Sequence, residues 1–369
     1  MGTLIVLLII VGCAAYQYQK GTFAKSVVTI IVTICASAVA FGYFETLANL
    51  FINRGDNGSL QSLAPWAQML SFVLLFVLAF AILRTIADQL MRPPIDLGFL
   101  PERIGRVICG IFLGLIVSGL LLTALAMAPL SSKYPYQRFN LRRPDPEYPK
   151  RVLFNADGFA TGWFSILSRG GLSTFGEKRS FAVLHPAFID QLFLNRHAAA
   201  DELSIVTSPD AIEVPNKGAV WPAPERPKDA DDPNKTIEPR SGRNLTIVRV
   251  GIKRKAIKTA GTFTLSQLRL ICKQKTNGDL LAGKAINIYP IGYIKTENQL
   301  QRKQLSDRIY LKRADFDDSV KWIDFAFYVP DGFVPALAEF KQNCVISLPP
   351  PVPADQAPAP VPFIQPTES

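Results

Sequence analysis

Two histidines, His185 and His197, are the only imidazoles in the chain of 369 residues. Catalysis that needs an imidazole, or a metal site built on several, has no other residues to draw on. His185 precedes Pro186, His197 closes a helix-like run, and no cysteine lies near either in sequence. There is no Gly-x-Ser-x-Gly, no HExxH and no glycine-rich phosphate loop. Asp315, Asp317 and Asp318 offer oxygen ligands of the kind calcium takes. They lack the glycine and distal Glu of an EF-hand, so a solvated acidic turn is the stronger reading. No catalytic residue, metal ligand or cofactor is assigned, and an enzyme is the least favoured class.

Three other groupings carry physical content. Arg84 and Asp88 stand i, i+4 at the edge of an apolar run, where they share a helix face. They read first as a membrane-edge ion pair and second as part of an ion pathway. Cys272 and Cys344 are the only cysteines outside the apolar front, where Cys13, Cys35 and Cys109 lie. In an oxidising compartment they are candidates for a disulfide, with two buried thiols as the alternative. Lys253, Arg254, Lys255 and Lys258 are the densest basic cluster of a rear region carrying 33 Lys+Arg against 25 Asp+Glu. No RNA-recognition aromatic motif accompanies them, so no nucleic acid partner is expected. Anionic headgroups or wall polymers suit them better.

The elements behind these residues divide near Leu130. Residues 1–130 hold 7 Lys+Arg and 5 Asp+Glu, which no single soluble domain would show. About 20 apolar residues span a bilayer core of about 30 Å. Ser26–Phe44, Leu63–Leu83 and Val107–Ser132 meet that length without a charge. Thr3–Tyr16 is shorter. Ile10-Val11-Gly12-Cys13 is lipobox-like, but the basic start of a signal peptide is missing, so a retained helix is preferred. Lys20, Lys25, Arg84, Arg92, Arg103 and Arg106 fall in loops one and three, and Arg54 alone in loop two. Positive-inside counting places both termini, and the rear region, outside the cytoplasm. Gly105, Gly110, Gly114 and Gly119 recur along the last span, and Gly110 and Gly114 form a GxxxG. They are helix-packing candidates, within the bundle by preference and between copies as the alternative.

Lys20-Gly21-Thr22-Phe23-Ala24-Lys25 after the first helix, the aromatic Phe41-Gly42-Tyr43-Phe44 and the glycine-marked run Arg103 to Gly114 together resemble the colicin V production protein family (CvpA) over about residues 1–130. The resemblance implies a bacterial inner-membrane protein tied to toxin production or export and to envelope homeostasis. It brings no catalytic residues.

Behind the spans, residues 131–243 read as a Pro-rich connector with short helices and a disordered insert at 207–243. Residues 244–348 read as a β domain, and 349–369 as a disordered Pro-rich tail. Strand patterns occur at 245–252, 263–273, 285–294, 308–311 and 322–329. The expected fold is an α+β membrane protein: a four-helix transmembrane bundle followed by an external antiparallel β-sandwich-like or barrel-like domain. The expected role is a non-enzymatic envelope protein whose β domain binds an envelope protein or wall component. The alternative is a channel or transporter subunit made by the glycine-rich helices.

Overall fold

Apolar sequence without internal charge makes the front of the chain helical, because a backbone in lipid must satisfy its own hydrogen bonds. The computed structural model describes residues 1–20, 22–54, 61–90, 99–170, 180–197, 203–223, 226–238, 240–256, 262–275, 284–312, 315–316 and 319–365. Four helices follow one another: α1 (Gly2–Lys20), α2 (Phe23–Arg54), α3 (Ala67–Leu90) and α4 (Phe99–Met127). Each has a stretch long and apolar enough to cross a membrane. The first helix is thus longer than the apolar run Thr3–Tyr16, since the uncharged Gln17–Gln19 continue it.

The chain divides into two compact units, Met1–Arg138 with Pro149–Ala182, and Phe139–Tyr148 with Val183–Ser369. In the first, α1 pairs with α4 and α2 with α3. A fifth helix, α5 (Ala156–Gly170), packs on α4 and α2 rather than serving as a connector. Phe164 of α5 stacks on Phe41 at 5.0 Å between centroids, and Phe159 meets Phe112 edge-on at 5.8 Å. Trp163, Ile166 and Leu167 on its other side are exposed, as fits a helix beside lipid.

The second unit contains thirteen strands among the described residues. After α6 (Phe181–Leu184) and α7 (Phe188–His197) come β1 (Ile212–Glu213), β2 (Val220–Pro222), β3 (Lys228–Asp229), β4 (Arg243–Lys253), β5 (Thr262–Thr264), β6 (Leu268–Gln274) and β7 (Ala285–Ile288). They are followed by β8 (Gly292–Thr296), β9 (Gln299–Arg302), β10 (Arg308–Tyr310), β11 (Val320–Pro330), β12 (Phe333–Phe340) and β13 (Cys344–Ser347). A seven-stranded sheet runs β1-β4-β11-β8-β9-β3, with β2 also on β4, and a four-stranded sheet runs β13-β12-β6-β7. A small ribbon joins β10 to β5. Pairing is antiparallel except between β3 and β9, so the sheet is mixed, and the strands close no barrel among the described residues.

Alternation builds the core. Val248, Val250 and Ile252 of β4 and Phe325, Phe327 and Val329 of β11 meet Leu268, Leu270 and Phe340 of the other sheet. The opposite face of the large sheet buries Trp221, Ile247, Ile294 and Ala326. The chain is therefore an α+β membrane protein with a sandwich-like β unit. At Gly292, φ +154, a Cβ would lie 1.9 Å from the Gln301 carbonyl, so the close approach of β8 to β9 requires glycine.

Two expectations are corrected. The stretch 207–243 is not a disordered insert, because it supplies β1, β2 and β3 to the large sheet. Pro224 and Pro239 lie outside the described residues. The tail is likewise docked as far as residue 365. Val352 N–H donates to Val220 O at 2.9 Å, and Gln365 Nε2 donates to Arg308 O at 2.8 Å. Phe363 is 1% exposed and its ring meets Tyr293 at 5.0 Å. Proline rules out continuous α-helix here, leaving only the 3-10 turn Ala354–Gln356, but it leaves carbonyls and isolated N–H groups free to bond an adjacent sheet.

Candidate functional site

Glycines set how closely the membrane helices approach. A Cβ on Gly110 would stand 2.6 Å from Ala14 Cα, and one on Gly114 2.6 Å from Ile10 Cα, both on α1. At Gly105 it would meet the Phe23 ring, and at Gly119 the Ala156 carbonyl of α5 at 2.1 Å. All four positions thus face neighbours inside their own unit.

One end of this unit gathers cations. Arg84 Nε donates to Asp88 Oδ2 at 2.9 Å, joining the two residues that share a helix face. Its Nη1 also reaches across to Thr29 Oγ1 of α2 at 2.6 Å. That second contact has only a weak signal in sequence, a hydroxyl in an otherwise apolar run. Buried Gln17 accepts from Ser26 Oγ at 2.8 Å and ties α1 to α2. Arg103 donates to the Tyr18 hydroxyl at 3.3 Å, and Arg106 pairs with Glu102. Between the helices lies a cavity of about 380 Å³. Lys20, Lys25, Arg84, Gln17 and Thr29 give it polar walls, and Gly12, Cys13, Phe80 and Leu113 an apolar part.

Hydroxyls deeper in the bundle turn to their own helices. Thr33, Ser37, Ser118 and Thr123 donate to carbonyls three or four residues back, at 2.7–3.0 Å. Beyond the spans, buried Arg138 and Asp157 cluster with half-buried Tyr136, with Arg138 Nη1 2.6 Å from the Tyr136 hydroxyl and the hydroxyl donating to Asp157. Burial pushes the Tyr136 hydroxyl well above the usual tyrosine range.

In the β unit both histidines are buried. His185 Nδ1 lies 3.0 Å from Gln191 Oε1, and Gln191 Nε2 donates to Glu339 Oε1 at 2.6 Å. Arg269 pairs with the same carboxylate and donates to Leu184 O at 2.8 Å. This network ties α6 and α7 to the small sheet. It was illegible in sequence because its members lie up to about 150 residues apart.

The expected disulfide is a correction. Cys272 and Cys344 are both buried, free thiols. Cys272 stands opposite Pro335 and Cys344 opposite Phe340, on the two flanks of β12. Two strand spacings separate them laterally by about 9–10 Å, before the offset along the strand is added. A bridge needs Cα atoms within about 7 Å. Burial raises both thiol pKa values, and Cys344 Sγ donates to Pro209 O at 3.0 Å.

The basic cluster is partly neutralised. Lys253 pairs with Glu213 at 3.2 Å and Lys255 with Asp210, whose carboxyl the Lys255 and Ser208 hydrogen bonds pull down to about 2. Lys258 lies outside the described residues, as do Asp317 and Asp318. The Asp315 carboxylate accepts from the Lys312 N–H at 2.6 Å. Among the described residues no three His, Cys, Asp or Glu stand together as a metal-sized group.

A recess of the β unit, about 650 Å³, is a groove lined by Arg143, Arg240, Arg243, Arg302, Lys303 and Tyr328, among others. Glu147 accepts from Arg240 at 2.9 Å and Arg243 at 2.6 Å, which leaves Arg143, Arg302 and Lys303 as the cations in excess over Asp145. Such a groove can hold an extended anionic chain through charge, with Tyr328 as an apolar wall.

Residues 3–140 match the family model described as Colicin V production protein, which is the family the sequence resembles. No curated protein and no solved structure matches the chain.

Proposed function

We propose that this CvpA-like membrane protein is a non-enzymatic component of the bacterial inner membrane. Its four spans anchor the β unit outside the cytoplasm, where that unit binds an envelope protein or an anionic wall polymer in support of export or envelope maintenance. The observation that carries the reading is the basic groove of the β unit, with Arg143, Arg302 and Lys303 in excess over nearby acids. The orientation rests on six Lys/Arg in loops one and three against one in loop two. A pore reading has less support, because Thr33, Ser118 and Thr123 inside the spans donate to their own helix carbonyls.

The test has two readouts on the full chain. Protease added to right-side-out spheroplasts should digest the region after residue 131. Cross-linking in those cells should then capture envelope partners or wall polymer, and Arg302→Glu with Lys303→Glu should lose them. Complete protection of the region places it in the cytoplasm and sinks the localisation. Undiminished capture by the charge-reversed chain sinks the groove.

A further inference from the structure

We propose that the cavity between the α1/α4 pair and the α2/α3 pair binds the phosphate headgroup of an anionic membrane lipid. This goes beyond the role assigned to the β unit and does not depend on it.

The argument starts from position. Lys20 is the last residue of α1, Lys25 lies in the first turn of α2, and Arg84 stands two turns before the end of α3. Successive membrane helices reverse direction, so these three cations gather at one end of the spans, at headgroup level. All three line the cavity, and no carboxylate lines it with them. Arg84 is held in place by Asp88 and Thr29, and Gln17 by Ser26, so this part of the polar wall is fixed before any ligand arrives, while Lys20 and Lys25 are exposed. The rest of the lining is Gly12, Cys13, Phe80 and Leu113, which are apolar, together with the ring and hydroxyl of Tyr16.

A cavity basic at one part and apolar at the other matches a molecule with a phosphate joined to a hydrocarbon. Inorganic phosphate would satisfy the cations and leave the apolar part unfilled. Asp88 offsets Arg84, so Lys20 and Lys25 carry the excess charge, and a zwitterionic lipid brings its own cation, which they repel. Basic pockets between transmembrane helices are a general means of holding acidic headgroups.

The test uses the purified full chain in a neutral detergent, titrated separately with phosphatidylglycerol, phosphatidylcholine and inorganic phosphate. Retention is read by native mass spectrometry and binding by the shift in unfolding temperature. Phosphatidylglycerol should bind and raise the transition, and the other two should not. Lys20→Gln with Lys25→Gln should weaken that binding roughly 30-fold, from about fivefold per lysine. Lys133→Gln with Lys150→Gln, which removes the same charge elsewhere, should leave it intact. Gly12→Leu is a second variant, because a Cβ there meets nothing within 4 Å. It fills the apolar part without altering charge and should also reduce binding. Equal binding of phosphatidylcholine, or unchanged binding in both the lysine and the Gly12 variants, overturns the proposal. Binding of inorganic phosphate with no preference for the lipid overturns it too, leaving a soluble-anion site.

Discussion

Gly114 of α4 rests directly on the backbone of Ile10 of α1, so that a Cβ on the glycine would stand 2.6 Å from the Ile10 Cα. No rotamer relieves that contact, because the obstacle is main chain. Gly114→Leu must therefore push α1 away from α4, at about 1–3 kcal/mol if it behaves as an overpacked core. The expected outcome is a lower unfolding temperature in detergent and less protein in the membrane. Gly42→Ala on α2, where a Cβ meets nothing within 4 Å, is the control and should be neutral. Equal behaviour of the two variants would separate α1 from α4 in the native bundle.

The docked tail gives a second expectation. Asp324 is fully buried and holds Arg249 through two contacts, at 2.7 and 2.8 Å. The tail closes over this pair: Val361 N–H donates to Asp324 Oδ2 at 2.8 Å and Arg249 donates to Ala359 O at 2.7 Å. Asp324→Ala leaves Arg249 without its carboxylate and should cost about 3–5 kcal/mol. Phe363→Ala empties a buried ring site and should cost on the same order, about 3–5 kcal/mol. Both loosen one element, so the double variant should fall short of the sum. Denaturant unfolding measures the cost, and limited proteolysis should show cleavage within 349–365 in each variant. A tail equally resistant in Phe363→Ala would mean that the ring does not hold it.

What was legible in the sequence follows from how local the signal is. The spans are read from about 20 residues at a time, and β4 and β11 from clean alternation. β12 was missed because Pro335 interrupts its pattern. The structure accommodates that proline at a register shift between Pro335 and Leu337. Glu339 is buried and paired with Arg269, a contact between strands that only tertiary pairing reveals. β9, Gln-Leu-Gln-Arg, has no β-branched residue to announce it. The Pro-rich tail and the Pro-rich, charged, apolar-poor insert read as disorder, yet such composition reports helix incompatibility and a missing core rather than absence of sheet partners. At the membrane end, Arg84 and Asp88 were legible at i, i+4. Thr29, 55 positions away, was not.

Lys341 makes a pH prediction. It is 6% exposed, close to the Phe340 ring, and burial lowers its pKa from 10.5 to about 8. The folded state therefore releases the proton before the unfolded state does. Below pH 8 both forms are protonated and the cost of burying the charge is fully present. Between about pH 8 and 10.5 the unfolded chain binds more protons, so this residue's contribution to stability rises with pH. Cysteines and tyrosines with raised pKa values act in the opposite sense over part of that range. The clean measurement is thus a difference. Lys341→Met should be more stable than the parent at pH 7, by up to about 3 kcal/mol, and the gap should close toward pH 10. A gap constant with pH would show that the ammonium is not desolvated.

The cysteines of the β unit give the last prediction. Cys272 faces the core between the sheets, 0% exposed, and Cys344 opens β13 with its Sγ–H donated to a carbonyl. β12 stands between their strands, so no rotamer brings the sulfurs together. Both thiols should therefore persist in an oxidising compartment, protected by geometry rather than by a reducing environment. Burial also keeps each thiol protonated at neutral pH, and the thiolate is the reactive form. In a chain carrying Cys13→Ala, Cys35→Ala and Cys109→Ala, a thiol reagent at pH 8 should modify the folded protein slowly. In denaturant without reductant it should count two thiols at once. Electrophoresis with and without reductant should give one mobility. Zero thiols in denaturant, with a mobility that changes on reduction, would require β12 to leave its place between β6 and β13. Two thiols found also mean that the compartment of the β unit has to be decided by protease access, since an absent bridge forced by strand order carries no information about redox environment.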